Sequence, residues 1–385
     1  MKLVYVAYVF FDRNLGVRKK LIAQMKVFSR YFDSYLLTLE GNDVVLYNGK
    51  EWKVEKRIPL SEEFLFTDSD NFMVKAIRVL RRTKWFFKTT GEELKDFDVV
   101  YTRAFLPVKE SIKFLEEIRR KNTKIILEYP TYPFRYEFFR TYGPLFFLVY
   151  YPRYRRINDL VDLVVVFGEK ELSGRKLITI SNGIDPSDVT LRKPVPDENV
   201  LNLIGVARLR YWHGYDRVVR GLWEYYRRTP ERKVYFHIVG DGPELPRLKK
   251  LTKKLELEEY VVFHGPKHGG ELDRLFDSSH VAVASLGMHR SNLKTGSTLK
   301  VREYCARGIP FVVGYKDVDF PEDFPFLLRI PSDESPVDIQ KVISFYEELK
   351  KTHPDYPLLM RKYAEEHLSW EIKMKPLVER IMEMR

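Results

Sequence analysis

Residues 296–310 run Gly-Ser-Thr-Leu-Lys-Val-Arg-Glu-Tyr-Cys-Ala-Arg-Gly-Ile-Pro. Small polar residues where a helix would open, and Gly308 as a C-cap before an apolar run, predict a short helix over 298–307 between two strands. An exposed helix amino end presents unpaired N–H groups and a partial positive charge, so the amides around Gly296, Ser297, Thr298 and Leu299 suit a diphosphate. Lys300 and Glu303, three apart, share one helix face. The lysine can meet a phosphate and the carboxylate can accept hydrogen bonds from a ribose diol. The plainer alternative is a capped surface helix with an ordinary ion pair between these two residues.

Outward from that helix, β-branched runs alternate with helical stretches from residue 98 onward, the rhythm of parallel sheets covered by helices on both faces. Strands are expected over 98–103, 124–129, 163–167 and 178–181, and then over 200–206, 233–239, 260–263, 280–284 and 309–313. Helices are expected over 215–228, 243–255 and 270–278. The Pro- and Asp-rich stretch 185–198 separates the two series as a linker. Two α/β domains of the doubly wound class therefore follow, 1–190 and 191–357, with a helical segment 358–385 that breaks near Ser369 and Trp370 and returns to the first domain. Two such units would form a cleft between the carboxyl edges of their sheets.

Length and composition agree. A chain of 385 residues exceeds one hydrophobic core, and 44% hydrophobic with 31% charged residues excludes disorder, collagen and coiled coil. The formal charge of +12 favours anionic partners. The single cysteine, Cys305, forms no intramolecular disulfide and no CxxC pattern, which fits a cytoplasmic location. The apolar start 3–11 is followed at once by Asp12 and Arg13 and reads as a first buried strand. No apolar run reaches the roughly 20 residues of a membrane span.

Two further constellations fall at strand ends. After the strand 200–206 comes Ala-Arg-Leu-Arg-Tyr-Trp-His-Gly, in which Arg208 would point its planar fork at phosphate oxygens. His213 is either part of that site or a packing histidine. Val239-Gly240-Asp241-Gly242-Pro243-Glu244 closes a strand with a tight turn and opens a helix. It lacks the third glycine of a dinucleotide fingerprint, Leu245 standing there.

With these pieces in place the sequence resembles the family 4 retaining glycosyltransferases, whose GT-B fold has two Rossmann-like doubly wound domains facing across a cleft. The resemblance rests on Ser181-Asn182-Gly183-Ile184-Asp185, Gly205 to Leu209 with His213-Gly214, Gly240 to Pro243, His264-Gly265 and Lys300 to Pro310, in family order across most of 180–315. It implies that Arg208 binds the donor diphosphate, whose charge Lys300 and the amides around Gly296–Leu299 would share. A basic residue, usually lysine, is implied at His213, so the histidine would make the local charge pH-dependent. Glu303 matches the second acid of the family's E-x7-E signature and would hold the ribose. The first acid is missing, and Thr295 stands in its place. Lys267, just after His264-Gly265, Gly242 and the 295–299 segment would complete the donor site.

In the first half, Asn14-Leu15-Gly16-Val17 matches the family's glycine loop, or Gly16 is simply a turn glycine. The family's acceptor-side histidine is absent, since no histidine precedes His213. The segment 128–137 ends a strand, and Glu128, Tyr129 and Glu137 are its acceptor-side candidates, each acid being otherwise a solvated or paired surface group. The aromatic and basic mix of Phe138, Phe139 and residues 145–156, with Arg81, Arg82, Lys84 and Trp85, suits either an anionic membrane surface or a core helix with a basic end. Asp-x-Asp triplets at 68–70, 96–98 and 317–319 are read as chance, and Gly265 and Pro266 break the helix that would align His264 with His268, so no metal site or cofactor is expected. No nucleic-acid motif is present.

The sequence thus predicts a retaining, metal-independent glycosyltransferase of the hexosyltransferase type, cytoplasmic or peripheral to a membrane. It would move a sugar from a nucleoside-diphosphate sugar, UDP favoured over GDP, to a glycan or lipid-linked glycan. The alternatives are a non-catalytic nucleotide-sugar-binding subunit of a glycosyltransferase complex, or an epimerase or phosphorylase of the same fold.

Overall fold

The computed structural model describes the chain apart from residues 13–14, 61–63, 65–71, 131–134, 169–175, 194, 196–198, 229 and 385; the side chains of 15, 72, 73, 75 and 135–147 are likewise not described. The chain divides into two compact units, one of Met1–Ile180 with Met374–Arg385 and one of Ser181–Lys373.

The first unit runs β1 (Lys2–Phe10), α1 (Leu15–Tyr31), β2 (Asp33–Glu40), β3 (Asp43–Asn48), β4 (Val54–Pro59), α2 (Phe72–Thr90), β5 (Val99–Arg103), α3 (Lys109–Arg120), β6 (Lys124–Tyr129), α4 (Arg135–Leu160), β7 (Leu163–Phe167) and β8 (Leu177–Ile180). Its sheet has the order β4-β3-β2-β1-β5-β6-β7-β8. The strands from β2 across to β8 are parallel, and β3 and β4 add an antiparallel edge. Strand β1 buries residues on both faces, Leu3 to Ala7 all being inaccessible, as a central parallel strand must. In α3 the buried Ser111, Phe114, Leu115 and Ile118 recur at helical spacing and turn that face to the sheet. Strands β2 to β4 are additions to the set that the sequence predicts.

The second unit runs β9 (Val200–Val206), α5 (Tyr215–Tyr226), β10 (Lys233–Val239), α6 (Leu245–Lys254), β11 (Val261–Gly265), α7 (Gly269–Asp277), β12 (Val281–Val283), β13 (Thr295–Gly296), α8 (Leu299–Arg307), β14 (Phe311–Val313), β15 (Lys316–Asp317), β16 (Leu327–Arg329), α9 (Ile339–Thr352), α10 (Tyr356–His367) and the start of α11 (Trp370–Met382). Its six parallel strands follow the order β11-β10-β9-β12-β14-β16, with β13 and β15 as a separate parallel pair. Counted from β9 that order is 3-2-1-4-5-6, the Rossmann arrangement, which opens a crevice at the carboxyl ends of β9 and β12 where the winding reverses.

The stretch expected as a linker is bound into the second unit. Val189 joins its core, and the buried Arg192 donates to the carbonyls of Gly308 at 3.0 Å and Ser279 at 2.8 Å and to the Tyr356 hydroxyl. Helix α10 is held to the same unit by Arg361, which donates to the carbonyls of Val189 and Ala306. The chain turns between α10 and α11 at Leu368–Ser369, beside the expected break.

Candidate functional site

The reversal point of the second unit is built from three short segments. The loop after β9 is laid against the loop after β10 by backbone bonds from Ala207 N–H to Val239 O at 2.9 Å and from Leu209 N–H to Asp241 O at 2.8 Å. The approach is close enough to demand glycine. A Cβ on Gly240 would stand 1.9 Å from Ala207 O and one on Gly242 2.3 Å from Leu209 O, at φ values of +123° and +153°. The two glycines of the tight turn therefore shape the loop that carries Arg208. The Arg208 side chain is exposed and makes no hydrogen bond or ion pair among the described residues.

His213 ends a 3-10 turn, and its carbonyl accepts from Leu286 N–H at 2.9 Å, joining the loop after β9 to the loop after β12. Its Nδ1 accepts the Arg210 N–H at 3.0 Å, which leaves the proton on Nε2 in the neutral ring. Burial, with the Lys300 ammonium as the next contribution, holds its pKa well below the ordinary histidine value. The expected pH-dependent charge at this position is thus corrected: His213 is a neutral donor throughout the physiological range. The titrating group is Lys300.

Lys300 lies in the first turn of α8. Its stem is partly exposed, but the Nζ nitrogen is enclosed and has no hydrogen-bond partner among the described residues. It lies 5.7 Å from the centre of the Tyr215 ring, and burial lowers its pKa to about 7. The alternative pairing with Glu303 does not form. Glu303 instead binds Arg307 at 3.0 Å, which also reaches Asp273 at 2.7 Å. A buried ammonium without a partner is costly unless an anion completes it.

The start of α8 is pinned from beneath. Thr298 is the N-cap, makes no side-chain cap, and shares its hydroxyl with Tyr315 Oη at 2.7 Å. The Ser297 hydroxyl accepts the Asn182 N–H at 2.7 Å, and the Asn182 amide donates to the Ser297 carbonyl. The small polar residues therefore place the helix end, while its first-turn amides receive no side-chain cap. Arg302, fully buried, donates to Asn182 O at 3.1 Å and pairs with Asp317 and Asp319. The Asp-x-Asp triplet at 317–319 is thus a clamp on an arginine. Thr295 and Gly296 form β13, paired with Lys316 and Asp317. Leu299 is half-buried in the first turn of α8. Lys267 is engaged with Glu271 at 2.9 Å, and His264 shares a hydrogen bond of 2.9 Å with His237.

In the first unit Gly16 lies exposed in the first turn of α1, with open space where a Cβ would stand. Glu128 corrects the expectation of a surface acid. It is fully buried, 3.1 Å from Lys20 Nζ, and accepts from Tyr101 Oη at 2.7 Å, Gln24 at 3.0 Å and Tyr5 Oη at 3.2 Å. Burial by itself raises a carboxyl pKa, but Lys20, Arg103 and the hydrogen bonds from Tyr101 and Gln24 outweigh it and hold Glu128 down to about 2. Tyr129 is buried and donates to Asn158 Oδ1 at 2.8 Å. The side chain of Glu137, like those of Phe138 and Phe139, lies outside the described residues. Sequence reasoning misses Lys20 and Arg103; the latter carries the same signal as Arg208, an arginine at the carboxyl end of a parallel strand.

Among the described residues no group of three or more metal-ligating side chains converges, and no helix is long and apolar enough to cross a membrane. On α4, Leu148 and Val149 are exposed.

Residues 188–323 match the family model described as glycosyl transferases group 1. The chain is 26% identical over 216 residues to the Escherichia coli O-antigen biosynthesis glycosyltransferase WclY, a match spanning 52% of this chain and 59% of that protein. It is 25% identical over 176 residues to a phosphatidylinositol N-acetylglucosaminyltransferase component of Arabidopsis thaliana, across 45% and 38% of the two chains. The matched stretches thus span less than two thirds of each relative's length. Among solved structures, the Anabaena protein HepE in complex with UDP and glucose aligns over the whole of both chains with a TM-score of 0.63 at 14% identity. A Thermosynechococcus elongatus sucrose-phosphate synthase aligns likewise with a TM-score of 0.64 at 12% identity. The chain therefore has the GT-B fold of two Rossmann-like units, and its residues 188–323 match the glycosyl transferases group 1.

Proposed function

We propose that the protein is a glycosyltransferase of the GT-B class that takes a sugar from a nucleoside-diphosphate sugar, UDP first, and places it with retained configuration on a hydroxyl of a glycan or lipid-linked glycan. The observation that carries this reading is the enclosed Lys300 ammonium, without a hydrogen-bond partner among the described residues, at an uncapped helix start beside the reversal point of a Rossmann sheet. Lys300, Arg208 and the first-turn amides of α8 would hold the diphosphate, with the neutral Nε2–H of His213 as a further donor. In the reaction the bond from the anomeric carbon to the diphosphate oxygen breaks. The acceptor oxygen bonds to that carbon from the same face, and its proton passes to the departing phosphate oxygen. The chain's contribution is fixed positive charge where the negative charge grows. Glu303, about a third exposed beside Arg307, would hold the ribose. The exposed Leu148 and Val149 support peripheral contact with a membrane that presents a lipid-linked acceptor.

The test is thermal unfolding of the protein with UDP, GDP, ADP, CMP and TDP, since a ligand at 100 times its dissociation constant stabilises by about 2.7 kcal/mol. One selective shift, lost in Arg208→Ala together with sugar transfer, supports the assignment; no shift with any nucleotide overturns it. The second reading, a nucleotide-sugar-binding subunit without turnover, is favoured by Thr295, which offers a strand hydroxyl where the resembling family has a carboxylate. Nucleotide binding without transfer in the native protein, and transfer gained in Thr295→Glu, would select it.

A further inference from the structure

A cavity of about 640 Å³ opens at the carboxyl edge of the second unit's sheet, and neither Arg208 nor Lys300 lines it. The loop after β12 gives it His289 and Lys294, the segment after β14 gives Tyr315 and Lys316, and the end of β16 gives Arg329. It lies two strands along the edge from the reversal point between β9 and β12, about 10 Å at the usual strand spacing. Among its lining residues three cations, Lys294, Lys316 and Arg329, meet one carboxylate, Glu322. Lys294 is exposed and makes no hydrogen bond or ion pair among the described residues. Lys316 stands 3.6 Å from Glu322, both largely in solvent. Arg329 spends Nη1 and Nη2 on the carbonyls of Glu322, Phe320 and Pro321, so no carboxylate meets its charge. The neighbouring acids are already engaged: Asp216 and Glu334 hold Arg220 and Arg290, and Asp317 holds Arg302.

Two of the lining side chains also carry an enclosed polar atom without a hydrogen-bond partner among the described residues, Arg329 Nε and His289 Nδ1. The His289 ring donates from Nε2 to the Glu334 carboxylate at 2.8 Å, so Nδ1 of the neutral ring is an acceptor. A cavity of this size, with positive charge in excess and a donor and an acceptor both unmet, suits a small ligand that carries an anion and hydroxyls together. Carboxylate fits it better than phosphate. The arginine fork is spent, and the N–H groups of Lys316 and Ile330 are taken by Lys294 O and Val313 O. What remains for the anion is a pair of lysine point charges rather than a cradle of amides and guanidinium. Tyr315 and Ile330 offer apolar wall to a sugar ring, and Asn292 and Ser332 offer neutral polar groups to its hydroxyls.

We propose that this cavity binds a uronic acid unit of the acceptor glycan, its carboxylate set between Lys294 and Lys316, so that the glycan extended by this protein is acidic. The word acceptor rests on the donor reading above, but the binding site stands on the second unit's own residues. Tyr315 separates it from the diphosphate site, since its hydroxyl is bonded to Thr298 at the start of α8. The uronate and the nucleotide therefore bind together rather than in competition.

The full-length protein, with and without saturating UDP, is titrated with glucuronate, galacturonate, glucose, acetate and glucose 6-phosphate, and binding is read by saturation-transfer NMR. One of the two uronates should bind at least tenfold tighter than glucose, acetate or glucose 6-phosphate, equally well in the presence of UDP. In the double variant Lys294→Gln with Lys316→Gln that affinity should fall about tenfold or more. Glu322→Gln, which frees Lys316 from its carboxylate, should tighten it a few-fold, a gain that a merely structural role for these residues would not produce. The thermal unfolding midpoint of the UDP complex should be unchanged in the double variant, which confirms folding. Uronate affinity equal in the double variant and the native protein, weaker binding in Glu322→Gln, glucose 6-phosphate bound as tightly as either uronate, or displacement of the uronate by UDP would each overturn the proposal. If UDP binds and no uronate does, the proposal fails and the donor reading stands. If no nucleotide binds while lysine-dependent uronate binding persists, the donor reading fails and the acidic-sugar site stands.

Discussion

Replacing Lys300 with methionine, which keeps most of the stem and removes the charge, should make the ligand-free protein more stable and the nucleotide complex weaker. In the folded protein burial lowers the lysine from its ordinary value of 10.5 to about 7. The unfolded chain therefore binds more protons than the folded one between those two pH values, and native stability rises with pH across that window. Relative to a neutral side chain, holding this lysine costs about 4 kcal/mol at pH 7 and about 2 kcal/mol at pH 9. These are ceilings, because water entry and local rearrangement reduce them. Urea unfolding should accordingly find Lys300→Met more stable than the native protein at pH 7, with the difference roughly halved at pH 9. Calorimetric titration with UDP should show the opposite trend in affinity, about 10- to 100-fold weaker binding for loss of one charge-assisted contact. Native UDP binding at pH 7 should also take up about half a proton as the ammonium becomes fully charged, and the variant should lose that uptake. His213 adds no uptake, since its neutral ring already accepts the Arg210 N–H. A variant that is less stable at pH 7, or that binds UDP as tightly as the native protein, would refute the assignment of Lys300 to an anion.

Other variants separate site from scaffold. Gly242→Ala should lose nucleotide binding and destabilise the protein by about 2 kcal/mol or more, since its methyl meets Leu209 O; unchanged UDP affinity would show that the loop after β10 does not matter. His213→Gln should leave the pH profile of UDP binding within a few-fold of native, and a profile shifted by a full pH unit would mean that the histidine is charged. Glu128→Ala leaves the buried Lys20 without its carboxylate and should cost about 3–5 kcal/mol in urea unfolding at pH 7. Native Glu128 has a folded pKa of about 2, depressed below the unfolded value, so its contribution is present above pH 4.5 and is lost as pH falls toward 2. Adding Lys20→Met to Glu128→Ala should recover part of the loss; strict additivity of the two changes would argue against a buried pair.

The Rossmann rhythm of the second unit was legible because its cues are local. Val200–Val206 and Lys233–Val239, like Lys124–Tyr129 in the first unit, are apolar runs that form strands with the expected bounds. The paired glycines at 240 and 242 mark a turn before any contact is known. Strands β2 to β4 escape the strand pattern, although Gly41, at φ +56°, sits in a tight turn between two apolar runs, a hairpin signal that could have found them. Strand β16 has only three residues, and its pairing with β14 is what makes it a strand.

By itself the sequence determined the alternation of strands and helices, the two-unit plan and the residue types gathered at strand ends, since each follows from periodicity and from the steric demands of single residues. Which charges are satisfied was decided only by the tertiary structure. Glu128 and Glu303 look alike along the chain, yet one is buried among Lys20, Gln24 and two tyrosines while the other turns to Arg307. Lys300 and Arg302, two residues apart, point to opposite fates, one enclosed without a hydrogen-bond partner among the described residues and the other clamped by two aspartates more than a dozen residues away. Burial and pairing depend on distances between residues far apart in sequence, and the low-dielectric interior turns those distances into the charge states on which binding depends.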